Sequence, residues 1–198
     1  RELLSLLGVE FEVRPVDVDE AFGGSRPEVE ARRIAREKAE AARLLDPEAP
    51  IMAADTIVVL DGRILGKPRD AEEAREMLCA LRGRTHEVIT AVALLPRGER
   101  GALARQPLTR VTMRDYADEE VAAAITRGDP FDKAGAYAIQ DEVFRPVESY
   151  DGCYCNVVGL PLWPLIEMLR KAGVADPAVD RLLPQCAACP LKPPGGVS

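Results

Sequence analysis

IMAADTIVVLDGRILGKP, residues 51–68, decides how the rest of the chain is read. Ile51 to Leu60 is an apolar run of strand length with Asp55 and Thr56 in its middle. Asp61-Gly62 is a two-residue hairpin signal, and Arg63 to Leu65 is the return strand. Gly66-Lys67-Pro68 breaks that strand. A carboxylate within an apolar strand is costly unless it is paired or metal-bound. Asp55 is therefore either a salt-bridged structural residue or a group that holds a cation or activates water. Thr56 points to the opposite face of a regular strand.

Downstream, Asp70 with Glu73 forms a capping-box pattern that opens a helix to about Leu81, closed by Gly83. Strands are expected over Thr85–Leu95 and Leu108–Arg114, a helix over Asp118–Arg127, and strands near Ala136–Gln140 and Tyr154–Val158. A last amphipathic helix starts at Pro161 and ends at Gly173. Upstream, residues 1–8 read as part of a helix, Val9–Val13 as a short strand, and Asp17–Arg26 as a loop. Pro27 opens a charged helix to about Leu45. Interleaved helices and hairpins predict an α/β fold, a mixed twisted sheet with flanking helices. The segment 174–198, rich in Pro, reads as a separate flexible tail behind a domain over 1–173.

A chain of 198 residues, 47% hydrophobic, is long enough to bury a substantial core. Its 26 Lys+Arg against 33 Asp+Glu give a net charge of −7, which argues against a non-specific nucleic-acid binder. No run of 18 apolar residues predicts a membrane span. The single histidine, His86, excludes zinc sites and facial triads that need more than one; it precedes an apolar strand and reads as structural. Acid–base work falls to Asp, Glu and Lys. The five cysteines form no disulfide framework. Cys186-Ala-Ala-Cys189 is half of a zinc pattern with no second half in the sequence, and reads as coincidence.

Other candidate residues carry two readings each. Lys67 in its stiff turn suits a phosphate oxygen or is merely solvated. Lys38 lies on a helix full of charges. Asp17, Asp19 and Glu20 form either a solvated acidic loop or a contributor to a Mg²⁺ site. Gln140 ends the segment DPFDKAGAYAIQ (129–140), where its amide could read a base edge or satisfy backbone groups.

Taken in order, RELLSLLGVEFEV (1–13), VDVDE (16–20), IAREKA (34–39), AADTIVVLDGRILGKPRDAEEAREML (53–78), GRTHEVITAVAL (83–94), DPFDKAGAYAIQ (129–140) and NVVGLPL (156–162) resemble the Maf family of nucleoside triphosphate pyrophosphatases, also described as septum-formation inhibitors. The resemblance spans residues 1–172. It implies two lobes around a central cleft, akin to the inosine triphosphate pyrophosphatases. It implies hydrolysis of a nucleoside triphosphate to the monophosphate and pyrophosphate with a divalent cation, Mg²⁺ or Mn²⁺. The pair Asp55-Thr56 resembles the branch acting on dTTP and UTP. On that match Asp55 is the proton acceptor and a metal ligand, Thr56 and Gln140 select the base, Lys38 and Lys67 hold phosphates, and Glu20 faces the metal. A cytoplasmic location and a homodimer are implied in the same way. The family's Ser-x-Arg-Arg motif precedes its first helix, and Arg1 matches the residue after it, so that motif is expected upstream. A non-catalytic, nucleotide-sensing or protein-binding regulator of septation is the alternative; the Asp55, Lys38, Lys67 and Gln140 set speaks against it.

Overall fold

A computed structural model describes residues 1–98 and 101–194. After a one-turn helix α1 (Glu2–Ser5), an extended segment leads to α2 (Pro27–Leu45). Then come β1 (Ile51–Leu60), β2 (Arg63–Leu65), α3 (Ala71–Leu81), β3 (Thr85–Leu95), β4 (Leu103–Arg105), β5 (Leu108–Met113) and α4 (Asp118–Arg127). The chain continues through β6 (Val147–Asp151), α5 (Tyr154–Val158) and α6 (Leu162–Lys171).

The sheet runs β2-β1-β3-β5-β6, with β4 beside β3. The α/β fold with flanking helices is as expected. Within it every described strand pair is antiparallel, where interleaving suggested a mixture. The reason is local: β1 and β2 are joined by a tight turn with Asp61 and Gly62 both at positive φ, and no described helix makes a parallel crossover.

Alternation along β1 and β3 splits the core between the two faces of the sheet. Ile57, Val59, Ile89, Ala91 and Ala93 face α2, whose Ala31, Ala35 and Ala39 let the helix lie close. On the other face Val58 and Val88 pack with Leu78, Leu81 and Val121 of α3 and α4. Further along, Val92 and Leu94 pack under Trp163, Leu165 and Ile166 of α6. These two clusters are the two lobes, and the cleft lies between them.

Several elements differ from expectation. Val9–Val13 alternates but joins no strand; Val9 packs against the α6 cluster, yet Phe11 and Val13 are exposed and no described strand lies alongside to pair with. Residues 136–140 are not a strand, because Gly135 and Ala136 both take positive φ and turn the chain. Tyr154–Val158 is helical despite two valines, since Asn156 is held side-on by the sheet. β4 and β6 were not expected.

Residues 174–194, expected as a flexible tail, instead lie on the second lobe. Val179, Leu182, Leu183 and Leu191 pack there, Ala178 N–H donates to Leu7 O at 3.0 Å, and Trp163 Nε1 donates to Cys186 O at 3.0 Å. Proline content hid enough apolar side chains to bind the segment. The last four residues of the expected tail, 195–198, lie outside the described residues.

Candidate active site

β2 pairs with β1 only through Val58, Val59 and Leu60. On that side Ile51 to Ile57 therefore have no strand partner among the described residues. Asp55 and Thr56 sit at this free edge, side by side and on opposite faces. A cleft of about 330 Å³ opens there, lined by Lys38, Asp55, Thr56, Lys67, Lys133 and Tyr137, among others. A more open groove of about 530 Å³, between Arg32, Arg105 and Glu167, lies elsewhere and contains none of the expected site residues.

Lys38 reaches in from α2. Its Nζ donates to Asp55 Oδ1 at 2.7 Å and lies 2.6 Å from Glu20 Oε1. Lys67 Nζ stands 3.9 Å from the other oxygen of Glu20. The loop that carries Glu20 has no secondary structure, yet it is tied to α2. Buried Glu30 accepts from the N–H groups of Gly23 and Ser25 at 3.1 Å, and Arg33 donates to Ala21 O at 2.7 Å. These two residues were not singled out in the sequence, because their partners are backbone atoms of a loop.

Burial pushes the Asp55 carboxyl above its ordinary value, against the pull of the Lys38 hydrogen bond. A separate hydrogen bond from the same lysine holds Glu20 below its ordinary value. Burial works to lower the Lys38 ammonium, but the bonds to Asp55 and Glu20 outweigh it and hold it above its usual value. The pair thus favours the charged lysine more than the charged Asp55. The difference is depth: the Asp55 side chain is 10% exposed and that of Glu20 44%.

On the other face of β1, Thr56 Oγ1 is 2.9 Å from Thr90 Oγ1, and Thr90 donates its only hydroxyl hydrogen to Asn156 O at 2.6 Å. Thr56 must then be the donor to Thr90. This leaves the Thr56 oxygen lone pairs as acceptors on the cleft side. Gly159 keeps that oxygen accessible: at φ 111° it ends α5, and a Cβ there would come within 3.2 Å of Thr56 Oγ1.

Two further ties close the walls. Gly135 N–H donates to Gly66 O at 3.0 Å, which fixes the Lys133 loop to the Lys67 turn. Gly135 also approaches Val58 so closely that a Cβ would lie 3.0 Å from a valine methyl. Asn156, fully buried, accepts from Thr90 N and donates to Val88 O and Thr109 Oγ1. It fixes α5, and with it Val157 to Gly159, on β3. Lys133, Tyr137, Thr90 and Asn156 carried no separate signal beyond the segments in which they sit.

The structure therefore brings together Glu20, Lys38, Asp55, Thr56 and Lys67. It does not bring Gln140 to them: that residue is exposed in the turn after Tyr137 and does not line the cleft.

His86 is buried, as the structural reading required, with Nε2 2.7 Å from Tyr137 Oη. Burial lowers its pKa to about 4. The neutral form is thus favoured in the folded state. The stability this contributes is complete above the unfolded value of about 6.5 and is lost as pH falls toward about 4, a change of about 3 kcal/mol. Urea unfolding of wild type and His86→Gln should show the wild-type advantage shrinking between about pH 7 and pH 4.5. An unchanged difference at the two pH values would remove His86 from the acid sensitivity.

A metal can be tested against the donors present. Among the described residues, no set of three or more His, Cys, Asp or Glu side chains is arranged to hold an ion. Glu20 and Asp55 nevertheless converge on one cation, the Lys38 ammonium. Mg²⁺ commonly uses one or two carboxylates and completes its shell with waters and substrate phosphates. Two converging carboxylates fit that mode. No described helix is long and apolar enough to cross a membrane.

Residues 1–172 match the family described as Maf-like protein. A dTTP/UTP pyrophosphatase of Thermomicrobium roseum is 52% identical over 197 residues, covering 98% of this chain and 89% of the relative. One from Myxococcus xanthus is 46% identical over 178 residues, 89% of each chain. One from Citrifermentans bemidjiense is 44% identical over 173 residues, covering 87% of this chain and 90% of its own.

Proposed function

The chain belongs to the Maf-like family, and from that premise we propose that it hydrolyses dTTP and UTP to the monophosphate and pyrophosphate. The observation that carries this reading is the free edge of β1. There one strand presents a basic carboxylate tied to lysine on one face and a hydroxyl acceptor on the other.

Water attacks the α-phosphorus. The new P–O bond forms as the bond to the bridging oxygen breaks, and pyrophosphate leaves with that electron pair. Asp55 takes the proton of the attacking water, for which its raised pKa is suited. Lys38 and Lys67 balance the phosphate charges that develop on the leaving group. Glu20 and Asp55 would hold a divalent cation, Mg²⁺ or Mn²⁺, together with phosphate oxygens, and it would supply Lewis-acid neutralisation of their charge. The reading places the enzyme with the free nucleotide pool of the cytoplasm.

Base selection follows from the hydroxyl chain. Thr56 offers an acceptor, and uracil and thymine carry a ring N–H at the edge where cytosine carries a bare nitrogen. A buried donor or acceptor left unpaired costs about 1–3 kcal/mol. Gln140 enters this reading as a second reader of the base through its match to the family pattern alone, since it does not line the cleft.

Pyrophosphate release from a nucleotide panel with Mg²⁺ tests the whole reading. We expect dTTP and UTP to exceed ATP and GTP by at least about tenfold in kcat/KM, with Thr56→Gln reducing the preference. No pyrophosphate from any nucleotide would overturn the activity. Faster hydrolysis of GTP or 7-methyl-GTP would overturn the base assignment alone.

A further inference from the structure

Four of the five cysteines meet where the C-terminal segment crosses α5. Cys153 is the residue before α5 and Cys155 lies within it. Cys186 ends the short 3-10 turn Pro184–Cys186, and Cys189 follows. All four are buried, whereas Cys79 is exposed. The sulfurs of Cys155 and Cys186 are 3.5 Å apart. The Cys153 thiol is near enough to those of Cys155 and Cys189 for both to act on its proton. Backbone groups of Cys155 and Asn156 bond Cys153 as well, and that of Leu191 bonds Cys189.

The second half of the zinc pattern is thus present in space, as Cys153-Tyr154-Cys155. Buried cysteines commonly serve as small apolar residues. That role does not require two close-spaced pairs from separate parts of the chain to converge, nor every buried cysteine to find another. A tetrahedral thiolate site with Zn–S bonds of about 2.3 Å has sulfurs about 3.8 Å apart, within a few tenths of the Cys155–Cys186 distance. Backbone hydrogen bonds to sulfur are the support that thiolate ligands need. The site would also account for the segment it fastens. Residues 174–194 hold no regular structure beyond that one 3-10 turn, yet they lie against the second lobe.

We infer that Cys153, Cys155, Cys186 and Cys189 bind one structural Zn²⁺ that fastens the C-terminal segment to α5. Among the described residues no three of these side chains are yet arranged around an ion, so binding would draw the four sulfurs together. Binding exchanges four thiol protons for the cation, leaving four Zn–S bonds and no change in oxidation state.

The test uses the full chain, reduced and reconstituted with zinc, then dialysed to remove loosely held metal. About one zinc per chain should remain, and only Cys79 should react with a thiol reagent before unfolding. Cobalt in place of zinc should give a sulfur-to-metal charge-transfer band, which Glu20 and Asp55 cannot produce. Cys186→Ser combined with Cys189→Ser should abolish retention of the metal and expose residues 174–194 to protease, while Cys79→Ser changes neither. Lack of the charge-transfer band in the wild-type chain would overturn the inference even if the double variant fails to fold. So would a Cys155–Cys186 disulfide in the chain as isolated, or zinc retained equally by the double variant.

Discussion

Asp55→Asn is expected to lower turnover of dTTP by about 10²–10⁴-fold while leaving the folded protein at least as stable as wild type. Asn keeps the shape of the side chain and can still accept from Lys38, but it cannot take a proton from water. The stability half of the expectation comes from the burial that raises the Asp55 pKa. An ionised carboxylate at that depth costs free energy that a neutral amide does not. Lys38 keeps Glu20 as its partner at 2.6 Å, so the substitution strands no cation. Steady-state kinetics beside thermal unfolding separates the two effects. Turnover above about a tenth of wild type would take Asp55 out of the chemistry. In wild type, the acid limb of kcat/KM should lie above the ordinary aspartate pKa, because the base must be unprotonated and burial has raised its pKa.

Asn156→Ala should cost about 2–5 kcal/mol of stability, a large share of what a domain of this size possesses. Its side chain accepts from Thr90 N at 3.1 Å and donates to Val88 O at 2.9 Å and Thr109 Oγ1 at 3.0 Å, all buried. Truncation leaves a backbone donor and a backbone acceptor of β3 without partners. It also frees α5, whose end carries Gly159 over Thr56. KM for dTTP should therefore rise together with the loss of stability, measured by urea unfolding. A loss below about 1 kcal/mol would mean that water replaces the amide, and the tie would not be what holds the cleft wall.

The contrast between these two residues shows what could be read from the chain. Asp55 was visible because a lone charge interrupts an apolar strand. Asn156 was not, since a polar residue at the start of VVGLPL looks like any turn residue until the sheet is folded against it. Lys67 stood out by its stiff Gly-Lys-Pro turn. Lys38 did not, because nothing on a helix crowded with charges marks the one that meets Asp55 and Glu20. Only the resemblance to a family singled it out. The resemblance also named Gln140, which the folded chain leaves exposed and away from the cleft.

Local chemistry settled the elements whose signals are short-range. The Asp61-Gly62 hairpin, the Asp70 cap donated to by Glu73 N at 2.9 Å, and the helices after Pro27 and Asp118 all rest on neighbours within a few residues. Tertiary structure decided everything that needed a distant partner. Val9–Val13 alternates like a strand but finds none, and Tyr154–Val158 has strand-like valines yet is helical because Asn156 is anchored 66 residues away. Cys155 stands 31 residues from Cys186, so their sulfur contact exists only in space. The sequence determines such contacts through the whole folding free energy, and no short window of it contains both partners.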